Sequence, residues 1–334
     1  MFSQLKSLIQ RQPFLWLGIF LSALLFLGSA GVSIVHIVQD TQNRDAYLSD
    51  SERGNNHYIA VFPSMEGEFF TRMWNGLERE AEKRKVAVEL QVPKDRLDLK
   101  SGMVELLDIA RISRVDGLLL YVTHEAELRP YINRLSISGI PVVTLESDAP
   151  KSRRASFVGS NSFRMGQRIG TLMQEGNGGE VKAAMIQSQY YSEKTTQWSI
   201  INYGILTSLS SRDGDEILTT VNSESGVLSG EELTREILFL YPEVNTIFCT
   251  SPVDTIAAYR TVNEFSDKDV RIIGYGYNEE IRRGLESGAI YATLVRNPEE
   301  IGARAVETLE QLSQNRYVSS FIYIPSEVQR REGQ

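Results

Sequence analysis

Between residues 57 and 330, short apolar runs alternate with stretches whose apolar residues recur at helical spacing. This alternation constrains the fold more than any single motif does. Tyr58–Phe62, Val86–Val92, Gly117–Val122 and Ile140–Leu145 read as strands, separated by helices at Phe69–Ala81, Met103–Ile112 and Leu128–Ile137. The run GLLLYV at 117–122 is apolar at every position but one, as a strand covered on both faces requires. The second half repeats the pattern. Strands are expected at Val181–Gln187, Ile217–Val221, Thr246–Cys249, Val270–Gly274, Ala289–Val295 and Phe321–Ile324. Helices are expected at Phe163–Glu175, Thr196–Ser210, Gly230–Leu240, Thr255–Phe265, Glu279–Ser287 and Pro298–Gln314. Such alternation builds parallel sheets with helices on both faces. Two blocks of it predict an α/β protein of two Rossmann-like, doubly wound lobes. The natural ligand site is then the cleft where the lobes face each other.

One segment stands outside this pattern. Residues 12–39 carry no formal charge over 28 positions, in a chain that is 23% charged. Phe14–Val38 is long enough, at about 1.5 Å per helical residue, to cross a bilayer core of about 30 Å. Lys6 and Arg11 precede it, whereas Asp40, Arg44, Asp45, Asp50 and Glu52 follow. The expected layout is a cytoplasmic N-terminus at 1–13, a transmembrane anchor at 14–38, a polar stalk at 39–56 and extracytoplasmic lobes on a bacterial cell membrane. The alternative is a signal cleaved after Gly28-Ser29-Ala30, leaving a secreted or periplasmic protein. The apolar stretch continues past that site to Val38, which favours the anchor. Cys249 is the only cysteine, so no intramolecular disulfide forms, and its apolar context TIFCT reads as a buried thiol.

Net charge is -8, which gives no basic footprint for nucleic acid. No phosphate-binding G-x-x-x-x-G-K-[ST] loop, G-x-S-x-G elbow or H-E-x-x-H pair occurs. His36, His57 and His124 are widely separated, so neither a histidine metal site nor a Ser-His-Asp triad is supported. No catalytic group, metal or cofactor is expected.

The segments FFTRMWNGLEREA, VDGLLLYV, SGIPVVTLESDAP, FVGSNSFRMG and YATLVRNPEEIGARAVETL, in this order and spacing, are similar to periplasmic sugar-binding proteins of the ribose/galactose-binding type. Lac-repressor-type effector domains share that fold. The resemblance implies lobes joined by three hinge strands that close on a small polar ligand. It places lobe 1 at 57–151 plus 297–318, and lobe 2 at 152–296 plus 319–330.

The resemblance also implies site residues. Phe69 and Phe70 stand where the family stacks an aromatic pair on a sugar face. Packing of the first helix is their other reading. Glu146 stands at the family's acidic position, where a carboxylate accepts hydroxyl hydrogen bonds or forms a hinge ion pair. Arg296 replaces the hinge glutamine; it either pairs with Glu146 or meets an anionic ligand bidentately. Other family groups are lost. Ile201 replaces an arginine, Ser251-Pro252 an Asn-Asp pair with Asp254 nearby, Gly276 an aspartate, and Asn161-Ser162 an Asp-Asn pair. Tyr190, Tyr191, Tyr275 and Tyr277 are candidate new aromatic walls. The expected ligand set is Phe69, Phe70, Glu146, Arg296, Ser251 and Tyr275. The expected function is a non-enzymatic anchored receptor for a sugar or sugar-like ligand that works with a membrane histidine kinase. The alternatives are the binding component of an ATP-driven sugar permease and an interaction module with a vestigial cleft.

Overall fold

The computed structural model describes residues 56–331 except 96–97, 177, 189–195, 225 and 266–268. The expected anchor, the stalk up to residue 55, Tyr190 and Tyr191 therefore lie outside the described residues. Among the described residues, no helix is long and apolar enough to cross a membrane.

The first sheet is built from β1 (His57–Val61), β2 (Ala87–Gln91), β3 (Gly117–Leu120), β4 (Val142–Leu145), β5 (Ser156–Gly159) and a late strand, β11 (Phe321–Tyr323). Its order is β11-β5-β4-β3-β1-β2, all parallel. Helices α1 (Glu68–Arg84), α2 (Leu99–Ile112), α3 (Glu125–Ile137) and α9 (Pro298–Ser313) accompany it. Apolar clusters fill both faces: Ile59, Leu118, Leu120 and Val142 on one, Tyr58, Ala60, Leu119 and Val143 on the other. These are alternate residues of the same strands, as a doubly covered sheet demands.

The second sheet contains β6 (Lys182–Ser188), β7 (Glu216–Ser223), β8 (Thr246–Cys249), β9 (Arg271–Tyr275), β10 (Ala292–Val295) and β12 (Glu327–Arg330), in the order β12-β10-β9-β8-β6-β7. Only β12 runs antiparallel, against β10. Helices α4 (Ser162–Gly176), α5 (Thr196–Leu209), α6 (Val227–Leu240), α7 (Pro252–Phe265) and α8 (Glu279–Ser287) belong to this lobe.

The chain passes between the sheets after β5, after β10 and after β11. Two strands thus shift the expected boundaries. The periodicity does not mark β5, because SFVG is only four residues and follows the polar Lys151-Ser152-Arg153-Arg154. It pairs with β4, so residues 152–159 fall in the first lobe and the crossing comes after Gly159, not at 151. β11 pairs with β5, which places residues 319–323 in the first lobe as well. Nor does the sequence mark β12, a polar edge strand with no alternation.

In each lobe, glycine permits a close helix crossing. α1 and α9 touch through Gly76 and Gly302. A Cβ at Gly76 would collide with the Glu299 carbonyl, and one at Gly302 with that of Met73. α4 and α5 touch through Gly166 and Gly204, where a Cβ would meet the carbonyls of Ile201 and Phe163. The α1–α9 crossing positions the site, because α1 starts beside Phe69 and α9 starts directly after Arg296. Asn297 caps α9 by accepting the Glu300 N–H at 3.1 Å, with Pro298 in the first turn.

Candidate functional site

The site lies at the carboxyl ends of the strands, where the first sheet hands the chain over to the second. Glu146 follows β4, and its backbone is left-handed at φ 54. That conformation disfavours any side chain other than glycine and recurs where a group must be aimed. Neighbouring Gly159 makes room for it, because a Cβ there would lie 2.7 Å from the Glu146 Cα. The Glu146 N–H donates to the Val158 carbonyl at 2.9 Å, which ties the ends of β4 and β5 together.

So aimed, the Glu146 side chain is fully buried. Oε2 accepts the Ser160 N–H at 2.8 Å and the Ser160 hydroxyl at 3.1 Å. Oε1 accepts Nη1 of Arg296 at 3.1 Å. The Arg296 side chain, 12% exposed, lies between two aromatic rings. Its guanidinium carbon sits 4.0 Å from the Phe69 ring centre and 5.0 Å from that of Tyr275. Phe69 belongs to lobe 1 and Tyr275 to lobe 2, so the arginine spans the two. A second bridge runs from Nε2 of Gln197 on α5 to the Glu146 carbonyl at 3.3 Å.

The structure therefore brings four of the six expected residues together: Phe69, Glu146, Arg296 and Tyr275. Phe70 turns into lobe 1, edge-on to Tyr121 at 5.1 Å and tilted against Phe62 at 5.8 Å. Its contact with Phe69 is also edge-on, at 5.4 Å. Ser251 serves α7. Its hydroxyl donates to Oδ2 of Asp254 at 2.5 Å and accepts the Asp254 N–H at 3.1 Å, a reciprocal cap at the helix start. Ser160 and Gln197 were not singled out from the sequence. Ser160 adjoins the quoted Asn161-Ser162, so position could have flagged it; nothing in the composition marks Gln197.

In lobe 2, Ile201, Pro252 and Gly276 take structural roles. Ile201 is buried and helps to line a small cavity of about 10 Å³ with Met165, Ile169, Trp198, Phe248, Thr250 and Tyr275. The Ile201 side chain is thus part of the lobe-2 core. Gly276 is left-handed at φ 82, and a Cβ there would lie 2.7 Å from Pro252 Cγ. Proline at 252 and glycine at 276 thus exclude a side chain jointly. Beneath them, burial raises the pKa of Asp254, and burial beside Asp254 pushes the Cys249 thiol well up. Cys249 is a buried structural thiol.

Asp254 couples stability to pH. Because its folded pKa is raised, the folded state holds this proton more tightly than the unfolded chain does. Its contribution is full below the ordinary carboxylate value and is lost as pH rises toward the raised one. Asp254→Asn should flatten that part of the stability curve and raise the urea midpoint relative to wild type at neutral pH. Ser251→Ala should lower stability by about 1 kcal/mol through the lost cap. A parallel pH profile for Asp254→Asn and wild type would refute the first expectation.

The residues 59–316 match the model of the periplasmic binding protein domain. The chain belongs to the periplasmic binding protein family. This periplasmic binding protein is 21% identical over 292 residues to the ribose import binding protein RbsB of Bacillus subtilis (strain 168), covering 86% of this chain and 92% of the relative. Its fold is similar to GanP, a glucose-galactose binding protein from Geobacillus stearothermophilus, with 26% identity and a TM-score of 0.74 over 84% of this chain and 99% of that one. It is also similar to a chain solved in the XylFII-LytSN complex, with 25% identity and a TM-score of 0.71 over 83% and 98%. The family is extracytoplasmic, and RbsB and GanP are named as binding proteins, not as enzymes.

Proposed function

We propose that this periplasmic binding protein recognises a small neutral sugar between its lobes and acts as the sensing partner of a membrane histidine kinase, held at the membrane by residues 14–38. The observation that carries the sugar reading is the cluster of Phe69, Glu146, Arg296 and Tyr275. It supplies aromatic faces for stacking beside a carboxylate for hydroxyl hydrogen bonds, a setting that the Arg296 guanidinium fills in this structure. The positive charge of Arg296 is already offset by Glu146, so an anionic ligand gains no net attraction there. Sugar-binding relatives support the same class.

The sensing role rests on two supports: the uncharged run at 12–39, which fits a tethered receptor, and the relative XylFII, solved in complex with a second protein, LytSN. Transport is the second reading, favoured by the relatives named as ribose import binding proteins. Calorimetric titration with D-ribose, D-xylose, D-glucose and D-galactose, with D-galacturonate as a charged control, tests the ligand class. Saturable binding of a neutral sugar and none of the uronate is expected. No heat from any of them would favour the interaction module. Crosslinking of the full chain in its native membrane distinguishes the partners: a histidine kinase as the crosslinked neighbour is expected, and permease subunits would sink the sensor reading.

A further inference from the structure

We infer that Arg296 is an internal occupant of the cleft, a latch that holds the two lobes together without ligand and that a sugar must displace. Three independent contacts meet on this one side chain. Its planar guanidinium lies over the Phe69 ring of lobe 1 at 4.0 Å and faces the Tyr275 ring of lobe 2 at 5.0 Å. Its Nη1 is bound to the fully buried carboxylate of Glu146 at 3.1 Å. A flat group between two rings, hydrogen-bonded at its edge to a carboxylate, makes the same kind of contacts that a sugar ring would make there.

Other donors also hold Glu146 in place. Ser160 donates twice to Oε2, and Gln197 of lobe 2 donates to the Glu146 carbonyl. Opening the cleft would therefore pull Arg296 off one ring and strip Gln197 from Glu146. A lysine could keep the charge pair but not the planar stack, so the device depends on arginine in particular. The consequence for affinity follows from population shift. If the latched form predominates, the apparent affinity for an incoming sugar falls by the fraction of molecules whose cleft is unoccupied.

Spin labels at Glu78→Cys on α1 and Leu206→Cys on α5 would read the separation of the lobes by pulsed electron resonance, with no sugar present. Cys249 is buried and does not compete for label. The wild-type background should give one narrow distance population. Arg296→Gln should move or broaden it by more than its own width, and Arg296→Lys should do so in the same direction. Lysine is the second variant because it keeps a charge opposite Glu146 and so protects folding. Distance distributions that coincide with wild type in both variants would overturn the latch. The competition arm rests on the sugar reading: the neutral sugar that binds wild type should bind Arg296→Gln about tenfold more tightly if nine-tenths of the wild type is latched. Equal or weaker binding would overturn the competition. The distances are measured without sugar, so a protein that binds no sugar at all refutes the proposed function and leaves the latch to be decided on its own.

Discussion

Replacing Glu146 by alanine should cost about 3–5 kcal/mol of stability, the range for removing one partner of a buried ion pair. The effect is large because three donors lose their acceptor at once: Nη1 of Arg296, the Ser160 N–H and the Ser160 hydroxyl. Arg296 is only 12% exposed, so water replaces little of what is lost. Backbone strain does not soften the outcome. Alanine at φ 54 is as disfavoured as glutamate, so the variant keeps the cost of the left-handed turn and loses the bonds that offset it. A double variant, Glu146→Ala with Arg296→Ala, should be more stable than Glu146→Ala alone, because it removes the orphaned charge together with its partner. Urea unfolding of the three proteins checks this. A loss below about 1 kcal/mol for the single variant, the scale of an exposed ion pair, would mean that the pair is better hydrated than its burial implies. Sugar binding should disappear with the carboxylate, since no other acid faces Phe69 and Tyr275 among the described contacts.

How much of this was legible in the sequence differs between fold and site. The parallel strands announce themselves through runs such as GLLLYV, and the helices between them through their spacing, so the two-lobe plan was readable. The places where the chain changes lobe were not. They depend on β5 and β11, four and three residues long, whose membership is decided by pairing partners far away in sequence. Glu146 and Arg296 were readable as candidates, but the sequence left open whether they would meet each other or a ligand. Their pairing across 150 positions, and the rings on either side, are products of lobe placement, which no local pattern encodes. Ser251 illustrates the opposite failure. Its position matched a ligand residue of the family, yet followed by proline and then by aspartate three residues on it carries the signature of a helix cap, and that is the role its hydroxyl takes.

The crossing of α1 and α9 gives the second large effect, and it links packing to the site. Gly302 sits inside α9, where alanine would ordinarily gain about 1 kcal/mol of helix propensity. Here the helices touch so closely that a Cβ would collide with the Met73 carbonyl and lie 2.9 Å from the Leu77 nitrogen. These are backbone atoms of α1, which cannot rotate away as a side-chain tip would. Gly302→Val should therefore destabilise by about 3 kcal/mol or more, the upper end of overpacking costs. Gly178→Ala serves as the control, since a Cβ there meets nothing within 4 Å; its effect should stay within about 0.5 kcal/mol. The strain also has a direction. Valine at 302 can fit only if α9 backs away from α1, and that separates Arg296, just before α9, from Phe69, at the start of α1. Gly302→Val should thus loosen the Arg296–Phe69 contact and bind ligand more tightly than wild type at temperatures where it is fully folded. Gly166→Val jams the equivalent crossing of α4 and α5 in lobe 2 and should cost similar stability while leaving Phe69 and Arg296 in contact. Equal affinity in the two valine variants, at matched stability, would mean that the α1–α9 crossing supports the fold without setting the geometry of the cleft.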